Sequence, residues 1–184
     1  MKKESTFGYI LRLTVTLLAI CAFVALALAG VNTITKDKIA ANKAAKTTAA
    51  LQQVLPGVTN VTEVAFVDAT GMVSKVYQSE SGYAVEVAPS GFGGAITMMV
   101  GINGAGEVTG ISIISHAETP GLGAVAAAAT DKGVAFREQF AGLVSGITIG
   151  SGENQIDALS GATISSQAVV DGVNAALECV KNMG

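Results

Sequence analysis

The chain has few of the residues that build metal and nucleophile sites. It contains two cysteines, one histidine and no tryptophan among 184 residues. Two cysteines are too few for a cysteine-ligated zinc or iron–sulfur site within one chain, so no metal is expected. Cys21 lies in an apolar run near the start and Cys179 lies near the end, which predicts no disulfide between them.

Charge is also scarce. Charged residues make up 14% of the sequence, and the net charge of −3 shows no basic excess. A nucleic-acid partner is therefore not expected. The chain has no G-x-S-x-G motif and its histidine, His116, has no triad arrangement, so hydrolase chemistry has no support. The glycines of "GINGAGEVTG" (residues 101–110) lie between two predicted strands, whereas a dinucleotide-binding loop precedes a helix.

One long apolar run stands near the start of the chain. Residues Leu13 to Val31 contain no charged side chain, and the run is long enough to cross a bilayer core of ~30 Å. A cleaved signal peptide, with Lys2 and Lys3 as its basic segment, is the alternative. The length of the run favours an uncleaved transmembrane anchor over residues 1–32. Lysines follow the run as well as precede it, so charge alone does not orient the anchor.

A segment rich in alanine and lysine follows the apolar run. Both residue types are strong helix formers, and neither proline nor glycine occurs until Pro56 and Gly57. The pattern predicts a helix from about Thr33 to Leu55 that can continue the membrane helix, and a stop at the proline–glycine pair. We interpret residues 33–56 as a helical stalk and residues 57–184 as the domain that it carries.

Strand signals dominate the first part of this domain. Residues 64–78 and 97–115 each contain two β-prone runs around a turn, at Asp68–Gly71 and Asn103–Gly106, which predicts two hairpins. A third β-prone run, with alternating side chains, begins at Tyr83.

Helical signals dominate the second part. Residues 124–142 are helical in composition, with an interruption at Asp131, Lys132 and Gly133. The segment "ITIG" predicts a short strand, and a last helix runs from Gly161 towards the end of the chain. Its apolar residues recur at helical spacing: Val170, Val173, Leu177 and Val180. The fold class predicted is α+β, an antiparallel sheet with packed helices, on a single N-terminal transmembrane helix.

Two polar stretches remain. In "HAETPGLG", from His116 to Gly123, the residues Thr119-Pro120-Gly121 are typical of a turn and leave little side-chain bulk around the backbone. His116 and Glu118 are two residues apart and face the same way if the segment is extended. A ligand-binding loop and a plain tight turn both fit this pattern.

The second stretch, "DALSGATISSQAVV" (Asp157 to Val170), starts a helix with more hydroxyl groups than one cap needs. Ser160 or Thr163 could cap the helix. The free backbone amides at the start of a helix and the positive end of its dipole also favour the binding of a phosphate. Spacing alone leaves both interpretations open.

The segment from Asp157 to Thr163, "DALSGAT", resembles the Asp-x-x-Ser/Thr-Gly-Ala-Thr flavinylation motif. In proteins with that motif a flavin transferase joins FMN to the final threonine through a phosphoester, with FAD as the donor. Residues 91–123 and 157–174 further resemble the G subunit of the Rnf complex. That complex is a membrane ferredoxin:NAD oxidoreductase coupled to sodium or proton transport. The C subunit of the sodium-pumping NADH:quinone reductase shares the motif but is usually longer.

The resemblance assigns expected roles to individual residues. Thr163 would carry the FMN, and Asp157 would be recognised during flavin transfer. Three motif residues would surround the phosphate: Ser160, Gly161 and Ala162. Four residues of the turn-rich loop would face the isoalloxazine ring: Glu118, Thr119, Leu122 and Gly123. His116 is expected behind the residues that contact the cofactor, and it is not expected to donate a proton.

The resemblance also implies a function and a location. The chain would relay electrons through covalent FMN, with no substrate site of its own, among the membrane subunits of an Rnf complex. It would be a single-pass protein of the cell membrane, in contact with lipid. Its N-terminus would lie in the cytoplasm and its FMN domain outside the cytoplasm. Three alternatives stay open: the corresponding subunit of a sodium-pumping NADH:quinone reductase, a standalone extracytoplasmic flavoprotein reductase, and a membrane-tethered binding module without flavin.

Overall fold

The first element is one continuous helix. A computed structural model describes residues 6–57 and 60–183, and helix α1 runs Thr6–Val54 without interruption. It ends just before Pro56 and Gly57, where glycine adopts a φ of 83° that few other residues tolerate. The helix predicted from about Thr33 to Leu55 is therefore present, and it continues the apolar helix.

Helix α1 belongs to two compact units, which divide between Ala44 and Ala45. In the first unit the apolar side chains are exposed along the helix; Phe23 and Leu26 are each 73% exposed. This part of α1 is long and apolar enough to cross a membrane. The second unit begins before the predicted boundary at residue 57, so the last turns of the predicted stalk pack with the domain. The division at residues 32 and 56 stays a prediction.

The second unit is built on a five-stranded antiparallel sheet. The strands are β1 (Thr62–Val64), β2 (Val73–Ser79), β3 (Gly82–Val87), β4 (Thr97–Asn103) and β5 (Val108–Ser115), in the spatial order β1-β2-β3-β4-β5. The hairpin predicted around Asn103–Gly106 is confirmed. The strand predicted before Asp68 is shorter than expected, because the carboxylate of Asp68 accepts hydrogen bonds from the amides of Thr70 and Val73 and forms an irregular turn.

The sheet is buried on both faces. On one face, Val85 and Val100 pack with Val170 and Val173 of the last helix. On the other face, the end of α1 packs through residues that share one small apolar cluster: Ala50, Val54, Leu55, Ala84, Met99 and Ile114. The hydroxyl of Thr109 donates to the carbonyl of Val54 at 2.6 Å, which fastens the end of α1 to β5.

The helix predicted over residues 124–142 is two shorter elements. A 3₁₀ helix, Gly123–Ala127, is followed by α2, Asp131–Glu138. Thr130 interrupts the pattern because its side chain caps α2, accepting from the amide of Gly133 at 3.3 Å. The predicted "ITIG" strand is β6 (Thr148–Ile149), which pairs in parallel with an unpredicted strand β7 (Gln155–Ile156).

The last helix, α3, spans Thr163–Lys181. Its predicted apolar residues Val170, Val173 and Leu177 are buried against the sheet. Gly172 allows this close approach, because a methyl group there would overlap Met98 and Pro89. Together these elements confirm the predicted α+β class with one long N-terminal apolar helix.

Candidate functional site

A cavity of about 360 Å³ opens at the start of α3, within the size range of small-molecule sites. Three segments form it: the loop before β4, the loop after β5 and the first turn of α3. Its lining residues are Phe92, Glu118, Thr119, Leu122, Gly123, Gly161, Ala162, Thr163, Ile164 and Ser165. Two other cavities, of about 460 and 920 Å³, contain no residue of the "SGAT" segment.

Glu118 connects the three segments of the wall. Its side chain is 6% exposed. One carboxylate oxygen, Oε1, accepts from the amide of Gly93 at 2.8 Å, and the other, Oε2, accepts from the hydroxyl of Ser165. The loop before β4 and helix α3 are therefore both fixed to the loop after β5 through one side chain.

Helix α3 begins without a side-chain cap. Ala162 occupies the N-cap position, with a φ of −134° and a ψ of 42° and no capping hydrogen bond. A helix start leaves amides that need partners from elsewhere. Thr163 is exposed at this point, on the wall of the cavity. Neither Ser160 nor Thr163 performs the capping role that the sequence left open.

The other two hydroxyls of the stretch point inward. Ser166 is fully buried; its hydroxyl accepts from the amide of Leu159 at 3.0 Å and donates to the carbonyl of Ala162 at 3.0 Å. Ser165 is also buried and donates to Glu118. The four hydroxyls thus divide into two exposed ones, Ser160 and Thr163, and two buried ones that hold the chain around the cavity. Of the exposed pair, Thr163 lies on the cavity wall.

The structure brings most of the predicted site residues together. The cavity wall includes Gly161, Ala162 and Thr163 from the motif and all four residues predicted from the turn-rich loop. Gly161 has a φ of 73°, which suits glycine, and lies against Leu122. Ser160 and Asp157 are exposed and are not part of this wall.

Two main-chain hydrogen bonds hold Asp157 in place. Its amide donates to the Oε1 of Gln139 at 2.7 Å, and the Nε2 of Gln139 donates back to its carbonyl at 3.3 Å. His116 and Glu118 were expected to face the same way only if the segment is extended, but β5 ends at Ser115 and His116 is exposed while Glu118 is buried. The amide of Glu118 donates to the Nδ1 of His116 at 3.2 Å, so the turn directs them apart.

Sequence reasoning missed three wall residues: Phe92, Ile164 and Ser165. Phe92 is 70% exposed and Ile164 is 57% exposed, so both leave apolar surface beside the cavity. An aromatic residue between glycines, in "GFGG", was a usable signal for Phe92. No pattern identifies Ser165, because its partner Glu118 is 47 positions away in the sequence.

Arg137 stabilises the end of the 3₁₀ helix that follows the loop after β5. Its guanidinium donates to the carbonyl of Ala128 at 3.1 Å and also to that of Ala126. Burial lowers the pKa of Arg137 from its ordinary value, while the nearby Glu138 opposes that shift. The side chain stabilises the turn between the 3₁₀ helix and α2, beyond the cavity wall.

Sequence comparisons agree with this geometry. An FMN-binding domain model matches residues 91–178, which include the cavity wall, and a model of the RnfG N-terminal region matches residues 1–54. The chain is 34% identical to the G subunit of the Na(+)-translocating ferredoxin:NAD(+) oxidoreductase complex of Acetobacterium woodii, over 99% of this chain and 97% of that protein.

Other relatives carry similar names. The G subunit of the ion-translocating oxidoreductase complex of Methanosarcina acetivorans is 33% identical, over 93% of this chain and 94% of the relative. The G subunit of the proton-translocating ferredoxin:NAD(+) oxidoreductase complex of Clostridium ljungdahlii is 41% identical, over 53% and 52%. The chain therefore belongs to the G-subunit family of ion-translocating oxidoreductase complexes and contains an FMN-binding domain.

Proposed function

We propose that this chain carries FMN as a phosphoester on Thr163 and relays electrons within an Rnf-type ferredoxin:NAD oxidoreductase coupled to Na⁺ or H⁺ transport. One observation carries the proposal. The Thr163 side chain is exposed on the wall of a cavity, at an uncapped helix start, inside the segment that matches an FMN-binding domain.

The start of α3 suits a phosphate. Uncapped amides and the positive end of the helix dipole favour an anion. The residues before it, Gly161 and Ala162, have little side-chain bulk, so a phosphate on Thr163 Oγ can lie close to the backbone. Ser160 completes the predicted phosphate surroundings from the exposed side of the turn.

The rest of the wall suits a planar, largely apolar ring. Phe92, Leu122 and Ile164 each leave apolar surface exposed at the cavity. Glu118 and Thr119 add polar atoms that can orient a ring with hydrogen-bonding edges. When bound, FMN supplies the redox chemistry, while these residues hold and orient it.

Attachment is a phosphoryl transfer. The Thr163 oxygen forms a bond to the FMN phosphorus of FAD, the pyrophosphate bond breaks, AMP leaves and the hydroxyl proton is released. Asp157 is exposed and its main chain is fixed by Gln139, which supports its role in recognition by a flavin transferase. A covalent bond prevents loss of the cofactor from a domain outside the cytoplasm.

The membrane setting follows from the first unit. One long apolar helix and the family membership support a single-pass membrane subunit. We place the N-terminus in the cytoplasm, the FMN domain on the outer side of the cell membrane, and the other Rnf subunits and lipid around α1. The match of residues 1–54 to the RnfG N-terminal region favours this assembly over the sodium-pumping NADH:quinone reductase. Co-purification of integral-membrane subunits tests it against a standalone reductase.

The attachment is tested by expressing the full chain with a flavin transferase. We expect a band whose fluorescence survives denaturation, and an intact mass equal to that of the chain plus FMN less one water. In Thr163→Val, both signals should disappear, since the variant keeps the shape of the side chain but lacks the hydroxyl. Thr130→Val makes the same change at the start of α2 and should retain the flavin. A fluorescent Thr163→Val protein of increased mass would refute attachment at this residue.

A further inference from the structure

Glu118 is a buried carboxylate without an oppositely charged partner. Its side chain is 6% exposed, and no Lys, Arg or His side chain forms an ion pair with it within the described residues 6–57 and 60–183. Buried charges are normally paired or fully hydrogen-bonded. Here both oxygens accept hydrogen bonds, from the amide of Gly93 and the hydroxyl of Ser165, and these bonds fix the carboxylate at the cavity wall.

The surrounding backbone is built closely around this carboxylate. A methyl group at Gly91 would overlap Oε1, and one at Gly123 would overlap both Oε2 and Ser165. The two glycines therefore let the loop before β4 and the start of the 3₁₀ helix approach the Glu118 carboxylate closely. The hydrogen bond from Gly93 fixes the backbone next to Phe92, an aromatic residue on the cavity wall.

We propose that Glu118, held by Ser165 and Gly93, is a positioning residue that also lowers the reduction potential of the flavin in this cavity. The inference rests on the proposed function, because it requires the flavin to occupy the cavity that Glu118 lines. Reduction adds negative charge to the cofactor. A negative charge on a buried wall opposes that addition more strongly than an exposed one, since solvent screens it less.

The charge is tested on the full chain with FMN attached, by spectroelectrochemical titration. Glu118→Gln removes the charge while its side-chain oxygen can still accept from Gly93, and the midpoint potential should rise. Glu118→Asp keeps the charge on a shorter side chain, and the potential should stay near that of the unsubstituted protein. Glu138→Gln removes a charge from an exposed position on α2 and should leave the potential unchanged.

A role in packing alone would predict that Glu118→Gln and Glu118→Asp shift the potential alike. An unchanged potential in a fully flavinylated Glu118→Gln protein overturns the charge effect. The intact mass is measured first. If the unsubstituted chain lacks covalent FMN, the proposed function fails, and the positioning role is judged by the flavin-free measurement that follows.

The positioning role is tested without flavin, in the Thr163→Val background, by amide hydrogen exchange. The amide of Gly93 should exchange slowly when Glu118 is present and many-fold faster in Glu118→Ala. It should also exchange faster in Ser165→Ala, where the carboxylate loses its second anchor. The amide of Gly91, which donates to the carbonyl of Gly94 at 2.8 Å, reports whether the whole loop has opened. Equal exchange at Gly93 in all three proteins would refute the positioning role.

Discussion

Helices α2 and α3 begin in opposite ways, although each has a threonine at its start. At α2, Thr130 lies at the N-cap position and its side chain accepts from the amide of Gly133. At α3, the N-cap position is Ala162, no side chain caps the helix, and Thr163 is exposed. The first threonine stabilises its helix, and the second leaves the helix start open to a ligand.

The difference supports the proposed site at the start of α3. A helix start without a side-chain cap needs partners from water or a ligand. In α3 the neighbouring hydroxyls are directed elsewhere: Ser165 towards Glu118 and Ser166 towards the preceding turn. These contacts preserve the shape of the turn and leave the amides at its tip uncapped.

Substitution of Ser166 should give the largest stability effect of this comparison. Ser166→Ala removes the acceptor for the amide of Leu159 and the donor to the carbonyl of Ala162. We expect the free energy of unfolding to fall by about 2 kcal/mol, measured by denaturant titration of the full chain without flavin. Ser160→Ala, at an exposed hydroxyl of the same turn, should change it by less than about 0.5 kcal/mol. Equal losses in both variants would contradict the buried role of Ser166.

Exchanging each threonine for valine should separate stability from cofactor attachment. Thr130→Val removes a helix cap, so we expect a loss of about 1 kcal/mol in the free energy of unfolding. Thr163→Val removes no cap and should change the flavin-free protein by less than about 0.5 kcal/mol. Urea unfolding of the two variants measures the difference. A loss in Thr163→Val as large as in Thr130→Val would show that this threonine also caps its helix.

A smaller, pH-dependent effect is expected at Asp68, another short side chain that binds backbone amides. Burial raises the pKa of its carboxyl, but hydrogen bonds from Thr70, Val73 and Gly71 outweigh that effect and hold the pKa below the ordinary value of 3.8. Because the folded pKa is lowered, the stabilisation is present above pH 3.8 and is lost as the pH falls through the folded pKa.

Asp68→Asn measures this contribution. The variant should be less stable than the unsubstituted chain at about pH 6, and the difference should shrink as the pH falls below 3.8 and Asp68 becomes protonated. Unfolding curves above and below this pH give the comparison. A difference that stays constant with pH would assign the effect to the shape of the turn and not to the charge.

Sequence reasoning recovered the elements whose signals are local. The apolar run of α1, the hairpin around Asn103–Gly106 and the apolar stripe of α3 each depend on a periodicity or a turn within one segment. It was less accurate at the ends of short elements. The helical segment predicted over residues 124–142, with its interruption at Asp131–Gly133, divides at Thr130, which caps α2, and the two-residue strand β7 forms by pairing with β6.

The candidate site was predicted in part as well. Resemblance of "DALSGAT" and "ETPGLG" to a known motif and loop predicted seven residues of the cavity wall. It did not predict Phe92, Ile164 or Ser165. Ser165 donates to Glu118, and Gly93, which follows Phe92, donates to the same side chain from another loop. Such a contact has no periodicity for a sequence pattern to reveal.

By itself, the sequence determined that a long apolar helix precedes an α+β domain and that a helix near the end starts with small and hydroxyl residues. Composition and periodicity suffice for this, because they reflect local backbone preference and burial of one face. Only the tertiary structure decided which hydroxyl on the cavity wall is exposed. Thr163 is exposed while Ser165 and Ser166 are buried, since Glu118 and the turn before α3 supply partners for the two serines alone.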